Sequence, residues 1–143
     1  MNIQIINGPK IHLIGNGRQP EVYGTLPFED YFKSLIKTFP QHQLSQLQTD
    51  VEQELLDFIK HANTTQDAIV LNAAAFTHTS RGLAECLQHL QIPVVEVHIS
   101  NIAARESFRH TSYVTPHVMG CVFGFGMKSY ALAIQAIEHQ SEE

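Results

Sequence analysis

Two short stretches pair residue types that move protons. In PVVEVHISN, residues 93–101, Glu96 and His98 stand two apart in a run of β-branched residues. Successive strand side chains alternate between faces, so Val95, Val97 and Ile99 share one face while Val94, Glu96, His98 and Ser100 share the other. A carboxylate bonded to one ring nitrogen of His98 fixes its tautomer and raises its basicity. The other nitrogen is then free to exchange a proton. In RQPEVYG, Arg18 and Tyr23 stand five apart. A phenol with a free pKa of about 10 serves as a base near neutrality only where a cation stabilises the phenolate, and Arg18 is suited to that. A third cluster, NAAAFTHTS at 72–80, carries Asn72 and His78 next to Ser80, a fit helix cap. Taken singly, each group has a plainer reading: a satisfied polar pair at a strand end, a surface aromatic beside a solvated charge, a strand end followed by a cap.

The elements that must position these residues are legible as alternating patterns. Strand patterns fall at Asn2–Asn7, Gln43–Gln48, Ala68–Asn72, Val94–Ile99 and Cys121–Phe125. Between them, PFEDYFKSLIKTF spaces Phe28, Phe32, Leu35 and Phe39 as an amphipathic helix, with Thr25 as N-cap and Pro27 in the first turn. DVEQELLDFIKHAN predicts a helix capped by Asp50, and SRGLAECLQHL and SYALAIQAIEH supply two more. The polar stretch Ile102–His117 predicts loop or short helix. Such alternation implies parallel strands joined by right-handed crossovers, a doubly wound three-layer α/β domain whose five-stranded sheet takes the order 2-1-3-4-5. The chain reads as a single domain over 1–143, without repeat or linker. Ligands of such sheets bind beyond the carboxyl ends of the strands. All three polar clusters fall there, and the long connection holding Gly15, Gly17 and Gly24 reads as an active-site lid.

Composition narrows the function classes. With 143 residues, 43% hydrophobic and 16% charged, the chain carries an ordinary globular balance that needs no disulfide or metal staple. A net charge of −5, with Lys and Arg unclustered, argues against nucleic acid or an anionic membrane as partner. No run approaches membrane-spanning length, no leader precedes the first strand, and Cys86 and Cys121 read as buried free thiols, so the expected location is the cytoplasm. The lid glycines follow neither a dinucleotide nor a P-loop spacing, and no serine sits in a G-x-S-x-G turn. Nine histidines keep metal in view. His78 and His98, expected on separate loops with Glu96 as their one nearby carboxylate, suit hydrogen bonding better than metal ligation.

Five blocks carry a further signal: INGP at 6–9, RQPEVYG at 18–24, NAAAFTHTS at 72–80, VEVHISN at 95–101 and ARESFRHTSY at 104–113. In this order they make the chain resemble the type II 3-dehydroquinate dehydratases, the flavodoxin-like dehydroquinases of the shikimate and quinate pathways, over nearly its whole length. The resemblance implies dehydration of 3-dehydroquinate to 3-dehydroshikimate through an enolate, without metal, cofactor or Schiff base, in a homo-oligomer that is a dodecamer built from trimers. It makes Tyr23 the base at C2, Arg18 the cation that lowers the tyrosine pKa, and His98, oriented by Glu96, the acid for the departing C1 hydroxyl. By the same resemblance the backbone amides of Ile99 and Ser100 form a carboxylate-binding turn, and Asn72, His78 and Arg109 seat the ring. Glu85 is the acidic residue that reaches a neighbouring subunit's substrate.

Three positions depart from the family pattern. Lys10 stands where the family usually has Asn, one residue is inserted between Gly15 and Arg18, and Glu85 replaces an Asp. A non-catalytic paralogue that binds a shikimate-like acid is the alternative function, and a flavin or nucleotide binder the third. The joint presence of Tyr23, Arg18 and His98 favours the enzyme, because a binding module needs neither a base nor an acid.

Overall fold

The computed structural model describes residues 1–142. Its five strands, β1 (Asn2–Asn7), β2 (Gln43–Gln48), β3 (Ala68–Asn72), β4 (Val94–His98) and β5 (Gly120–Phe123), form one parallel sheet in the order β2-β1-β3-β4-β5. A four-residue helix, α1 (Pro20–Tyr23), lies in the connection after β1. Helices α2 (Phe28–Thr38) and α5 (Lys128–Glu142) cover one face of the sheet, and α3 (Glu52–Thr65) and α4 (Arg81–Gln88) cover the other. Alternation along the strands sorts the core. Ile3, Ile5, Val70, Val95 and Val97 pack with Leu35, Tyr130 and Ile134, while Ile6, Ile69, Leu71 and Val94 pack with Leu55, Ile59 and Leu83. Each such side chain contributes roughly 1.5–3 kcal/mol by leaving water. The expected three-layer flavodoxin-like architecture and strand order are those observed.

Local ends differ where tertiary partners or glycine intervene. β4 stops at His98, placing that residue in the strand rather than in a loop, and β5 runs Gly120–Phe123 instead of Cys121–Phe125. The cause is the turn after β5: Gly124 and Gly126 have positive φ, and their amides donate to the carbonyls of His98 and Ile99. Thr25 does not cap α2. The extended Pro27 takes that place, and its carbonyl accepts from the amides of Asp30 and Tyr31. Asp50 does not cap α3 either. Its carboxylate accepts the backbone N–H of Lys10 at 2.9 Å, and Thr49 Oγ1 takes the amide of Val51 instead. Ser80 caps α4 as expected, accepting from the Leu83 amide.

The carboxyl ends of β1, β3 and β4 bring Asn7, Asn72 and His98 to one edge of the sheet. Gly8 lets β1 finish against the chain leaving β3, since a Cβ there would stand 2.6 Å from the carbonyl oxygen of Ala73. Residues 102–117 form three 3-10 turns that fold over this edge. Among the described residues, no helix is long and apolar enough to cross a membrane.

Candidate active site

The connection after β1 is anchored by apolar residues before it presents its polar ones. Ile11 and Ile14 are buried in the core. Gly15 then turns the chain with φ 81°, where a Cβ would stand 2.6 Å from the Pro27 nitrogen. The turn leads into α1, which ends on Tyr23, itself mostly buried. Arg18 donates from Nη2 to the Tyr23 hydroxyl at 3.0 Å and lies over its ring at 4.1 Å from the centroid. A second guanidinium joins it from the far side of the sheet edge: Arg105 Nη1 donates to the same oxygen at 2.7 Å and to Ser100 Oγ at 3.3 Å. Two cations thus converge on one phenolic oxygen. Arg18 Nη1 is buried with no acceptor among the described residues, a state an oxygen-bearing ligand relieves.

Facing this group, β4 presents Glu96 and His98 on one side of the sheet. His98 Nε2 donates to Glu96 Oε2 at 2.5 Å, and both residues are buried. That bond leaves Nδ1 as the nitrogen able to gain or lose a proton. Burial raises the Glu96 pKa. The hydrogen bond and charge of His98, the Thr115 hydroxyl and the nearby Cys121 thiol together outweigh burial and hold the carboxyl below the usual range.

His78 stacks beside His98, ring centroids 6.2 Å apart. Burial lowers its pKa, the hydrogen bond to the Thr111 carbonyl opposes this, the neighbouring His98 imidazole and Arg109 lower it further, and the Glu96 charge raises it. Its Nδ1 donates to that carbonyl at 2.8 Å, so neutral His78 turns an accepting Nε2 to a ligand. Asn72 is pinned from below. Its Nδ2 donates to the Tyr130 hydroxyl at 2.9 Å, which donates to Asn7 Oδ1 at 2.7 Å, while Asn72 Oδ1 takes the Ala74 amide. Arg109 is held by Glu106 through Nε at 2.7 Å.

Tyr23, Arg18, His98, Ile99, Ser100, Asn72, His78 and Arg109 all line one cavity of about 150 Å³, together with Lys10 and Arg105. Lys10, Arg18, Tyr23, Arg105 and Arg109 also line an outer chamber of about 580 Å³, so a partition of four cations stands around the phenol. Glu96 reaches the cavity only through His98. Glu85 does not join it, being exposed on α4. Sequence reasoning missed Arg105, Thr115 and Tyr130. The four-residue interval between Arg105 and Arg109 in ARESFRH was the one available hint. Glu96, His98 and Cys121 offer ligand atoms within 4.8 Å of one another. However, the carboxylate is already engaged by His98 and Thr115, and burial with the Glu96 charge pushes the Cys121 thiol up to about 12, keeping it protonated. The trio works as a hydrogen-bonding group.

The family model for class II dehydroquinases matches residues 1–138. The 3-dehydroquinate dehydratase of Ruegeria pomeroyi is 43% identical over 99% of this chain and 97% of its own length. That of Hahella chejuensis is 44% identical, with 94% and 93% covered. The crystal structure of the type II dehydroquinase from Butyrivibrio crossotus superposes with a TM-score of 0.90 at 33% identity, covering 96% of this chain and 97% of that one.

Proposed function

The chain belongs to the class II dehydroquinase family and is an enzyme of the 3-dehydroquinate-dehydrating kind, and from that premise we propose that it works through an enolate, with Tyr23 as base and His98 as acid. The Tyr23 phenolate takes a proton from C2, beside the C3 carbonyl, and the electron pair moves onto the C3 oxygen. Collapse of that enolate forms the C1–C2 double bond and expels the C1 hydroxyl, which leaves as water with a proton from His98 Nδ1. Arg18 and Arg105 stabilise charge on the phenolic oxygen before the proton arrives. Glu96 orients His98. The backbone at Ile99 and Ser100 and the Arg109 guanidinium suit the substrate carboxylate and ring oxygens. Neutral His78 and the fixed amide of Asn72 suit hydroxyl groups.

One observation carries this reading: two guanidiniums on Tyr23 and a carboxylate-backed His98 line the same cavity. No residue in this account needs a metal or an imine. The test is to add 3-dehydroquinate to purified protein and follow the ultraviolet absorbance of the conjugated product. Appearance of that band is expected; binding without turnover would instead mark a non-catalytic acid-binding protein. Glu85, exposed on α4 and outside the lining of its own cavity, is assigned to the site of a neighbouring copy in a trimer-based assembly. Glu85→Ala should raise KM roughly tenfold for loss of a charged hydrogen bond, and a fully active monomer by light scattering would overturn the shared site.

A further inference from the structure

We propose that Thr115 is a positioning residue for the proton-transfer step, acting through Glu96 to set how His98 presents its proton. This rests on the reading of His98 as the acid. Thr115 lies in the last 3-10 turn of the loop over the sheet edge, far in sequence from β4. Its Oγ1 approaches Glu96 Oε1 at 2.6 Å and Ser112 Oγ at 2.9 Å. A hydroxyl carries one proton. An ionised carboxylate is the stronger acceptor, so that proton goes to Glu96, and Thr115 receives from Ser112. Ser112 Oγ in turn accepts the amides of Val114 and Thr115, both at 3.0 Å, which closes the turn and fixes its own hydroxyl direction. The result is a directed chain from backbone amides through Ser112 and Thr115 to Oε1, leaving Oε2 for His98.

Position matters here because Glu96 has two equivalent oxygens and one of them must face His98. Buried on β4, between Leu71 on β3 and Cys121 on β5, the carboxylate meets His98 on its own strand, Thr115 from the loop and the Cys121 thiol, with His78 and Arg109 the further charged or titratable groups on that side. Removal of the Thr115 hydroxyl leaves Oε1 without its shortest donor in a buried setting, where an unpaired carboxylate oxygen is costly. The carboxylate is then easier to protonate and freer to rotate. Once protonated it no longer accepts the His98 Nε2–H as an anion, and the imidazole loses its fixed tautomer. Thr115 does not line the cavity, so substrate contacts are untouched.

The experiment compares Thr115→Val and Thr115→Ser by steady-state kinetics across pH, with melting temperature measured alongside. Thr115→Val should lower kcat roughly tenfold, the loss of one hydrogen bond to a charged acceptor, with KM within about twofold. Its acid limb of kcat should move to higher pH as Glu96 protonates more readily. Thr115→Ser, which keeps the hydroxyl, should restore both. A kcat loss that tracks melting temperature, with the acid limb unmoved or with no rescue by Ser, would overturn the positioning role. So would wild-type kinetics in Thr115→Val. If Thr115→Val fails to fold, the Ser and Ala pair decides the question by the same pH limb. Failure of the underlying reading is separate: it shows as near-native turnover in His98→Ala.

Discussion

The two ends of the cavity hold their proton-bearing groups by opposite means. Tyr23 sits on a four-residue helix in a long connection, held by two guanidiniums that also line the outer chamber. His98 sits at the end of a buried strand, held by a carboxylate 1% exposed, which is held in turn by a hydroxyl of the covering loop. The first end relies on charge, applied through long flexible side chains near water. The second relies on short hydrogen bonds among groups fixed by the sheet. Charge is suited to a base that must itself carry a negative oxygen before substrate arrives. Fixed geometry is suited to an acid that must aim one nitrogen at a departing hydroxyl. Ionic strength should therefore act on the tyrosine end more than on the histidine end, because the guanidiniums are half-buried while the carboxylate is fully buried, and screening weakens with burial.

Breaking the tyrosine end outright gives the largest effect. Tyr23→Phe should lower kcat by roughly 10³-fold, within the range for loss of a general base, while equilibrium binding of a substrate-like acid stays within a few-fold. Turnover near the native rate in that variant would remove the base assignment. Removal of one of the two cations should act on the tyrosine end alone. Arg105→Ala should cost roughly 10- to 100-fold in kcat, for a charged hydrogen bond of about 1.5–3 kcal/mol, and should leave the pH at which Glu96 protonates unmoved. A shift of that limb would mean the two ends are not independent.

The histidine end should declare itself in stability as well. Burial raises the Glu96 pKa but its hydrogen bonds win, so the folded value lies below the unfolded one. The resulting stabilisation is fully present above the unfolded value of about 4.3 and is lost as pH falls through the folded value. Glu96→Gln has no such titration. Its denaturation midpoint should fall less steeply between about pH 5 and pH 3 than that of the native protein; equal slopes in the two proteins would refute the lowered carboxyl.

The same contrast explains how far the sequence could be read. β1, β2 and β3 are predicted to the residue because their apolar patterns are bounded by polar turns, and Arg18–Tyr23 and Glu96–His98 are visible because each pair is local, five and two residues apart. Arg105 reaches Tyr23 across 82 residues, Tyr130 reaches Asn72 across 58, and Thr115 reaches Glu96 across 19. No periodicity announces such contacts; the strand order creates them. The missed caps have the same origin. Asp50 is a sound cap by residue type, but the amide of Lys10, brought to it by the pairing of β1 with β2, claims its carboxylate. At β5 the misread end is a backbone matter, since Gly124 and Gly126 turn the chain where an apolar run suggests it continues.

If base and acid are separate groups acting in sequence at the two ends, deuterium exchange separates their steps. In heavy water, His98→Ala should still exchange a C2 proton of 3-dehydroquinate for deuterium, seen as loss of its proton NMR signal above the enzyme-free rate, with little product formed. Tyr23→Phe should show no exchange above that background. Exchange that persists in Tyr23→Phe, or that vanishes in His98→Ala while substrate still binds, would mean that the two residues do not divide the base and acid roles in this way.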